Sequence, residues 1–495
     1  MEVYVGVHVG TTRIHALSLA EDGRMLQLAH VATPVGSDGM GPVHEAFALE
    51  QLVARAVDEA VGAVHGARLA GIALTSFGDE GFFLDRAEKV LYPAIAWYDR
   101  RPSRSQTRWL DRHSETEVFE RTGLLPDLRH PLMQWHWMLD HVPDVLRSTS
   151  HYFSVSEYLA YRLTGEAAST PSQAARTLVF DVSEGRYISE WLRDVELWKD
   201  IMPPLRPGGA ILGELASRAL PGTGRMPRVP VVLAGYDRAV APIALGPGEA
   251  GRAVGLSDRG EWVSLVRAES RPDRGGLMCG LEFGPGVPGT VYRVSGRLRT
   301  ERSLEAWERT LGREREVLER MAERVPPGSQ GVRFRPGGSL PLPGTLGRAA
   351  VPGLSDGPSR EGVLSGLPID VDTGLLWRAV LEGWALHLRD MLSEMQGTAG
   401  SAVTSLHMLN EARLSLLTLR IRSSVLGIPI HVLEVPDAPA LGAAILAARA
   451  CGVLWAQGEN QPKASRVLHI EPDQEWLEVY GGGMVSTPRP TTRPA

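Results

Sequence analysis

Cysteine is nearly absent: Cys279 and Cys451 are the only two in 495 residues, and they lie far apart. That excludes a disulfide framework or a cysteine-based zinc site as an organising device, and it points to a reducing, cytoplasmic setting. No apolar run reaches the ~20 residues that span a membrane. The chain starts directly into a strand-like segment rather than a charged-then-apolar leader. A dominant charge is missing too. With 22% charged residues and a net charge of −6, nucleic acid and anionic membranes are not expected partners. No Walker-type Gly…Gly-Lys-Ser/Thr run occurs, so any nucleotide must be held another way. The literal dinucleotide match "GPGVPG" (Gly284–Gly289) contains two prolines and precedes no amphipathic helix, so it reads as a loop. His130, His136 and His141, spaced six and five apart, do not stack on one helical face. They read as scattered surface or cleft histidines rather than a metal site.

What is present is an ordinary globular composition, 43% apolar, in a chain too long for a single core. Two large domains follow. Val3–His8, Ile14–Leu19 and Met25–Val31 alternate or run apolar between turns and predict a three-stranded antiparallel meander. A helix is expected over Leu49–Val64, then strands at Leu69–Leu74, Phe82–Leu84 and Ala94–Trp97, then a helical, Trp-rich middle from Ser105 to Trp198. "RAVGLSDRGEWVSLV" repeats the strand–turn–strand pattern of the N-terminus and reads as a weak internal duplication. Pro326–Gly366 reads as long loops. A helix over Asp372–Met395, a strand at Val403–Met408, a helix at Arg413–Leu426 and a strand at Ile430–Glu434 follow. Asp437 is expected to cap the small-residue helix "APALGAAILAARACG". Residues 485–495 read as a disordered tail.

The segment "VGVHVGTTRIHAL" (Val5–Leu17) joins two strands through Gly10, Thr11 and Thr12. Such small-residue turns bring backbone N–H groups close to phosphate oxygens. His8 stands just before it.

The chain resembles the FGGY family of carbohydrate kinases, members of the actin-like ATPase superfamily, over roughly residues 1–455. The resemblance rests on the order and spacing of "VGVHVGTT", "YPAIAWYDRR", "SEYLAYRLTGE", "SQAARTLVFDV", "VVLAGYDRAVAPIALG", "AVLEGWALHLRD" and "PALGAAILA". It implies an α/β fold with two actin-like (ribonuclease H-like) domains flanking a cleft: residues 1–244 binding sugar and 245–484 of nucleotide-binding type. Its implied activity is ATP-dependent phosphoryl transfer to a small sugar, polyol or sugar acid, with ATP and Mg²⁺ expected and a homodimer allowed. In this resemblance Asp237 matches the catalytic base; its structural alternative is a helix N-cap. Asp79 and Glu80 fall in the substrate loop, or else form an exposed acidic turn. Trp97 and Asp99 would wall the sugar pocket, against core packing for Trp97 and an ion pair with Arg100 for Asp99. Tyr236 and Arg238 flank the base, and Gln134 stands where relatives often carry Lys.

The nucleotide half departs from the family pattern. His8 replaces a Mg²⁺-associated aspartate, and imidazole is a poor ligand for that hard ion. The second phosphate turn reads Gly255-Leu256-Ser257. A glycine-rich nucleotide turn has become "LNEA", Leu409–Ala412, where Asn410 and Ala412 would still line the nucleotide and Glu411 adds negative charge. Ser424 replaces an aspartate. Three changes on parts that serve Mg-ATP predict weakened transfer. The alternative is a catalytically silent pseudokinase that keeps its sugar clamp, and a weaker third reading is a phosphate-ester ligand needing no magnesium.

Overall fold

The apolar alternation at the N-terminus folds as expected, with Glu2–Val9, Arg13–Ala20 and Met25–Ala32 forming an antiparallel meander. The computed structural model describes residues 1–216, 228–246, 251–257, 260–269, 271–289, 291–337, 362–410, 414–453 and 466–481. The tail and most of the Pro326–Gly366 stretch lie outside the described residues.

The meander continues into a six-stranded sheet. Glu2–Val9 pairs in parallel with Arg68–Ser76, which pairs in parallel with Pro230–Tyr236; Ala210–Glu214 closes the edge antiparallel. Helix Ala46–Gly62 covers one face, burying Leu49, Val53, Val57 and Ala60 at helical spacing. A second, seven-stranded sheet repeats the plan. Arg252–Ser257, Glu261–Arg267 and Tyr292–Leu298 form its meander; Ser405–Asn410 pairs in parallel with the first of these strands, and Ile430–Glu434 pairs in parallel with Ser405–Asn410. Glu282–Pro285 and Arg466–Ile470 lie at its edges. The duplication suspected from one strand–turn–strand echo therefore extends through both sheets. Trp377, Trp384 and Leu388 of helix Thr373–Ala399 fill the second core.

Helix Ala438–Ala450 crosses back to pack on the first sheet. Its small residues allow this. A Cβ at Gly6 would collide with the Ala440 carbonyl and the Ala444 nitrogen, and one at Gly442 would collide with the Val240 carbonyl. Backbone meets backbone there, and that contact sets the height of Asp437 at the helix start.

Some expectations need correction. The strand at Ala94 stops at Ile95, leaving Trp97 in the turn beyond it. Arg333–Arg335 and Val363–Ser365 pair as a small antiparallel ladder within the stretch read as loops. His130 and His136 are buried, not at the surface: His130 touches the Arg176 and Leu125 carbonyls, and His136 lies near Trp109. His141 stacks on Trp137. The "GPGVPG" stretch leaves its strand at Pro285 and continues as a bend, and Gly208 donates to the Pro288 carbonyl at 3.0 Å.

Candidate functional site

Three parallel strands of the first sheet end together, at Val9, Ser76 and Tyr236. Open α/β sheets bind ligands beyond such carboxyl ends. Asp237 follows directly. Tyr236 takes the cap position, so Asp237 is the first helical residue and not the N-cap. One carboxylate oxygen accepts the Arg238 backbone N–H at 2.6 Å, and the side chain keeps 16% exposure.

The other oxygen of Asp237 faces His8, whose Nε2 lies 3.5 Å away. The His8 Nδ1 is 2.9 and 3.1 Å from the two oxygens of Asp437. As expected, Asp437 caps its helix, with Oδ1 accepting the Ala440 N–H at 2.7 Å. Its Oδ2 also lies 2.7 Å from Nδ1 of His15, the cross-strand partner of His8. Burial disfavours a charged His8, but the Asp437 carboxylate, with Asp237 beside it, outweighs this and raises its pKa well above the ordinary value. Burial likewise works against the Asp437 carboxylate, and His8 and His15 reverse it, holding the pKa below the usual range. His8, His15 and Asp437 bring one ligand atom each within 4.8 Å of one another. Two imidazoles and one carboxylate suit a d-block ion better than Mg²⁺, which prefers oxygen ligands throughout. With His8 seated between the two carboxylates, these residues do not fit a magnesium ion.

The loop that carries Asp79 and Glu80 is buried rather than an exposed turn. Asp79 is gripped by Arg176, at 2.9 and 3.0 Å, and lies 3.2 Å from His130. Burial opposes its charge, yet Arg176 and His130 hold its carboxyl below the usual range. Glu80 is fully buried; one oxygen faces His44 Nδ1 at 2.6 Å and the other accepts the Trp97 N–H at 2.7 Å. With both oxygens engaged, it acts as a strut for the Trp97 turn. Asp99 is also spent, though on Arg101 rather than Arg100, and Arg101 pairs in turn with Asp38. Trp97 is half-buried, its Nε1 donating to the Thr11 hydroxyl at 3.0 Å. Gln134 is buried and donates to the Asp79 carbonyl.

Among the residues expected to serve a nucleotide, the Gly10 N–H is used within the turn, on the Arg13 carbonyl, while Thr12 is exposed. Gly255 sits mid-strand, where a Cβ would meet the Met408 sulfur, so packing already accounts for that glycine. Ser257 is buried and pairs through its backbone with Glu261 and with Asn410. Leu409 is fully buried among Val254, Ala440 and Leu441. Glu411 and Ala412 lie outside the described residues. Ser424 accepts the Asp473 N–H and serves structure.

A cleft of about 700 Å³, counted to its open mouth, lies between the two sheets. It brings together Tyr236 and Arg238 with four residues that sequence reasoning missed: Arg176, Trp262, Glu282 and Arg293. Leu256 and Leu409 form an apolar part of its wall. The Arg176 guanidinium bonds Glu282 at 3.1 Å, and Arg129 pairs with the same carboxylate, so the halves are joined by charge. Arg129 and Arg176 in turn hold the buried Glu282 carboxyl down to about 2 against its desolvation. Arg238 lies over the Trp262 ring at 3.8 Å, and burial pulls Arg293 down to about 10. Period-two alternation places Arg293, Ser295 and Arg297 on one face of their strand, a legible signal.

With this geometry established, likenesses to known proteins become informative. Residues 3–244 match the FGGY family of carbohydrate kinases, N-terminal domain, and residues 295–451 match its C-terminal domain. The chain is 28% identical over 457 residues to an autoinducer-2 kinase from Enterobacter sp. (strain 638), covering 88% of this chain and 83% of that protein. It is 25% identical over 457 residues to a glycerol kinase from Saccharolobus islandicus, covering 90% and 87%. The ligand-bound xylulose kinase of Lactobacillus acidophilus superposes with a TM-score of 0.84 at 16% identity, over 97% of this chain and 96% of that one, a likeness of fold.

Proposed function

Because the chain belongs to the FGGY family of carbohydrate kinases, we propose that it transfers the terminal phosphoryl group of ATP to a hydroxyl of a small sugar, polyol or sugar acid. Asp237 would be the base. The observation that carries this reading is the place of Asp237: at the carboxyl end of a parallel strand, partly exposed, and flanked by the Tyr236 and Arg238 walls of the cleft. A hydroxyl seated against that wall gives its proton to the carboxylate as its oxygen bonds to phosphorus. Arg176 and Arg238 stand nearby to offset charge on the moving group, and such transfer depends mainly on positioning and electrostatics. In the same reading residues 1–244 bind the acceptor and residues 245–484 the nucleotide, with Thr11, Thr12, Ser257 and Asn410 nearest the phosphates.

His8 sets the pace of this reaction. With its pKa raised by these carboxylates, it brings positive charge between Asp237 and Asp437, where it contacts both. We infer turnover below that of a kinase with a carboxylate at this position, since one lost preorganised contact commonly costs roughly 10²–10³ in rate. A second reading, an acceptor-binding clamp without transfer, is favoured by the complete burial of Leu409 beside the nucleotide turn.

ADP release and sugar-phosphate formation, followed with the full chain and ATP across ketoses, polyols and aldonates, separate the two. Acceptor-dependent ADP release supports the kinase. Saturable acceptor binding with no ADP above the buffer rate leaves the clamp.

A further inference from the structure

The cleft carries more positive charge than its carboxylates balance. Arg129 and Arg176 share Asp79 and Glu282, an internally matched set. Arg238 and Arg293, which line the cleft, and Arg297, which stands beside its Trp262, are surplus: among the described residues none has a carboxylate within ion-pair distance. Arg238 and Arg297 instead lie near the indole of Trp262, at 3.8 and 5.6 Å from its centroid. Among the described residues the hydrogen-bond partner of Arg293 is a hydroxyl: it donates to the Ser264 Oγ at 2.7 and 3.1 Å. Trp262 and Arg297 are cross-strand neighbours, as are Val266 and Arg293, so the arrangement belongs to the sheet and not to a loop. Guanidiniums gathered in a cavity without counter-charge repel one another and lose hydration, a cost that an anionic ligand removes. The whole chain is net negative, at −6, so this local excess is no reflection of a basic protein.

We propose that the cleft binds an anionic oxygen group, carboxylate or phosphate ester, on a small polyhydroxylated ligand, with Arg293 and Arg238 as its principal partners. This deepens the kinase reading by naming the charge of the acceptor, and it rests on that reading only for the acceptor's fate. Trp262 and Tyr236 seat the Arg238 guanidinium against their rings, which holds it in place within the cleft.

The test is calorimetric titration of the full chain with gluconate, ribose 5-phosphate, xylitol and ATP, each into wild type, Arg293→Gln and Arg238→Gln, with thermal melts to verify folding. The expected result is that gluconate or the sugar phosphate binds at least tenfold tighter than xylitol, and that Arg293→Gln removes most of this preference. Which of the two wins tells carboxylate from phosphate ester. Xylitol binding as tightly as the anions overturns the proposal. So does a loss in Arg293→Gln confined to ATP, which would assign the surplus charge to the nucleotide. An anion preference without any phosphoryl transfer upholds the proposal while the kinase reading fails.

Discussion

His8 and Asp437 form a largely buried pair, Nδ1 to Oδ2 at 2.9 Å, that ties the first strand of one sheet to a helix crossing from the other half. The same imidazole reaches Asp237 at 3.5 Å. One side chain thus couples the junction of the two halves to the candidate base.

The pair makes stability depend on pH in a defined direction. The folded-state pKa of His8 is raised, so its contribution is complete below its unfolded value of about 6.5 and is lost as pH rises through the folded value. That of Asp437 is depressed, so its contribution is present above about 3.9 and lost as pH falls. His8→Asn should therefore cost most between about pH 4 and 6.5, on the order of 3 kcal/mol. The gap from wild type in denaturant melts should shrink in alkaline buffer. A gap that widens above pH 8 would contradict the pairing.

His8→Asp supplies an oxygen ligand but places three carboxylates together. Without divalent ions this variant should melt below wild type. Millimolar Mg²⁺ should raise its melting temperature, by about 2.7 kcal/mol of stability at a hundredfold excess over the dissociation constant. Wild type should show no such rise. Mg²⁺-dependent turnover should increase in the variant, and no increase would mean that the Leu256 and Leu409 walls limit the reaction as well.

Glu157 gives an independent pH signature away from the site. Burial raises its pKa to about 7, against help from Ser169 and Ser154. Stability should fall as pH climbs from about 4.5 to 7, because ionisation is then cheaper in the unfolded chain. Glu157→Gln, isosteric and neutral, should be more stable than wild type at pH 8, by up to about 3 kcal/mol. The difference should vanish near pH 5.

Gly6→Ala tests the crossing helix. The added methyl meets backbone of Ala440 and Ala444, which cannot swing aside as a side chain can. We expect a loss of about 1–3 kcal/mol and, because Asp437 must retreat with its helix, a smaller pH dependence from His8. A variant as stable as wild type would show that the close approach is dispensable.

Much of the scaffold was legible because its signals are local. Alternation placed the first meander within a residue or two, Ile430–Glu434 emerged as expected, and Asp437 read correctly as a cap. Pairings between distant segments were not legible. For Glu80 and Asp99 the sequence shows a carboxylate but not the His44 or Arg101 that engages it. Arg176 lay inside a quoted motif without a role, since its partner Glu282 stands 106 positions away. His8 was recognised as a departure, whereas its position between Asp237 and Asp437 depends on a helix arriving from the far end of the chain.

The most direct measurement is single-turnover phosphoryl transfer, enzyme in excess over ATP and acceptor saturating, in wild type and in Asp237→Asn. The account predicts a fall of about 10²–10⁴ in the variant, with acceptor affinity and melting temperature close to wild type. Transfer at an undiminished rate in Asp237→Asn would remove this residue as the base and contradict the account.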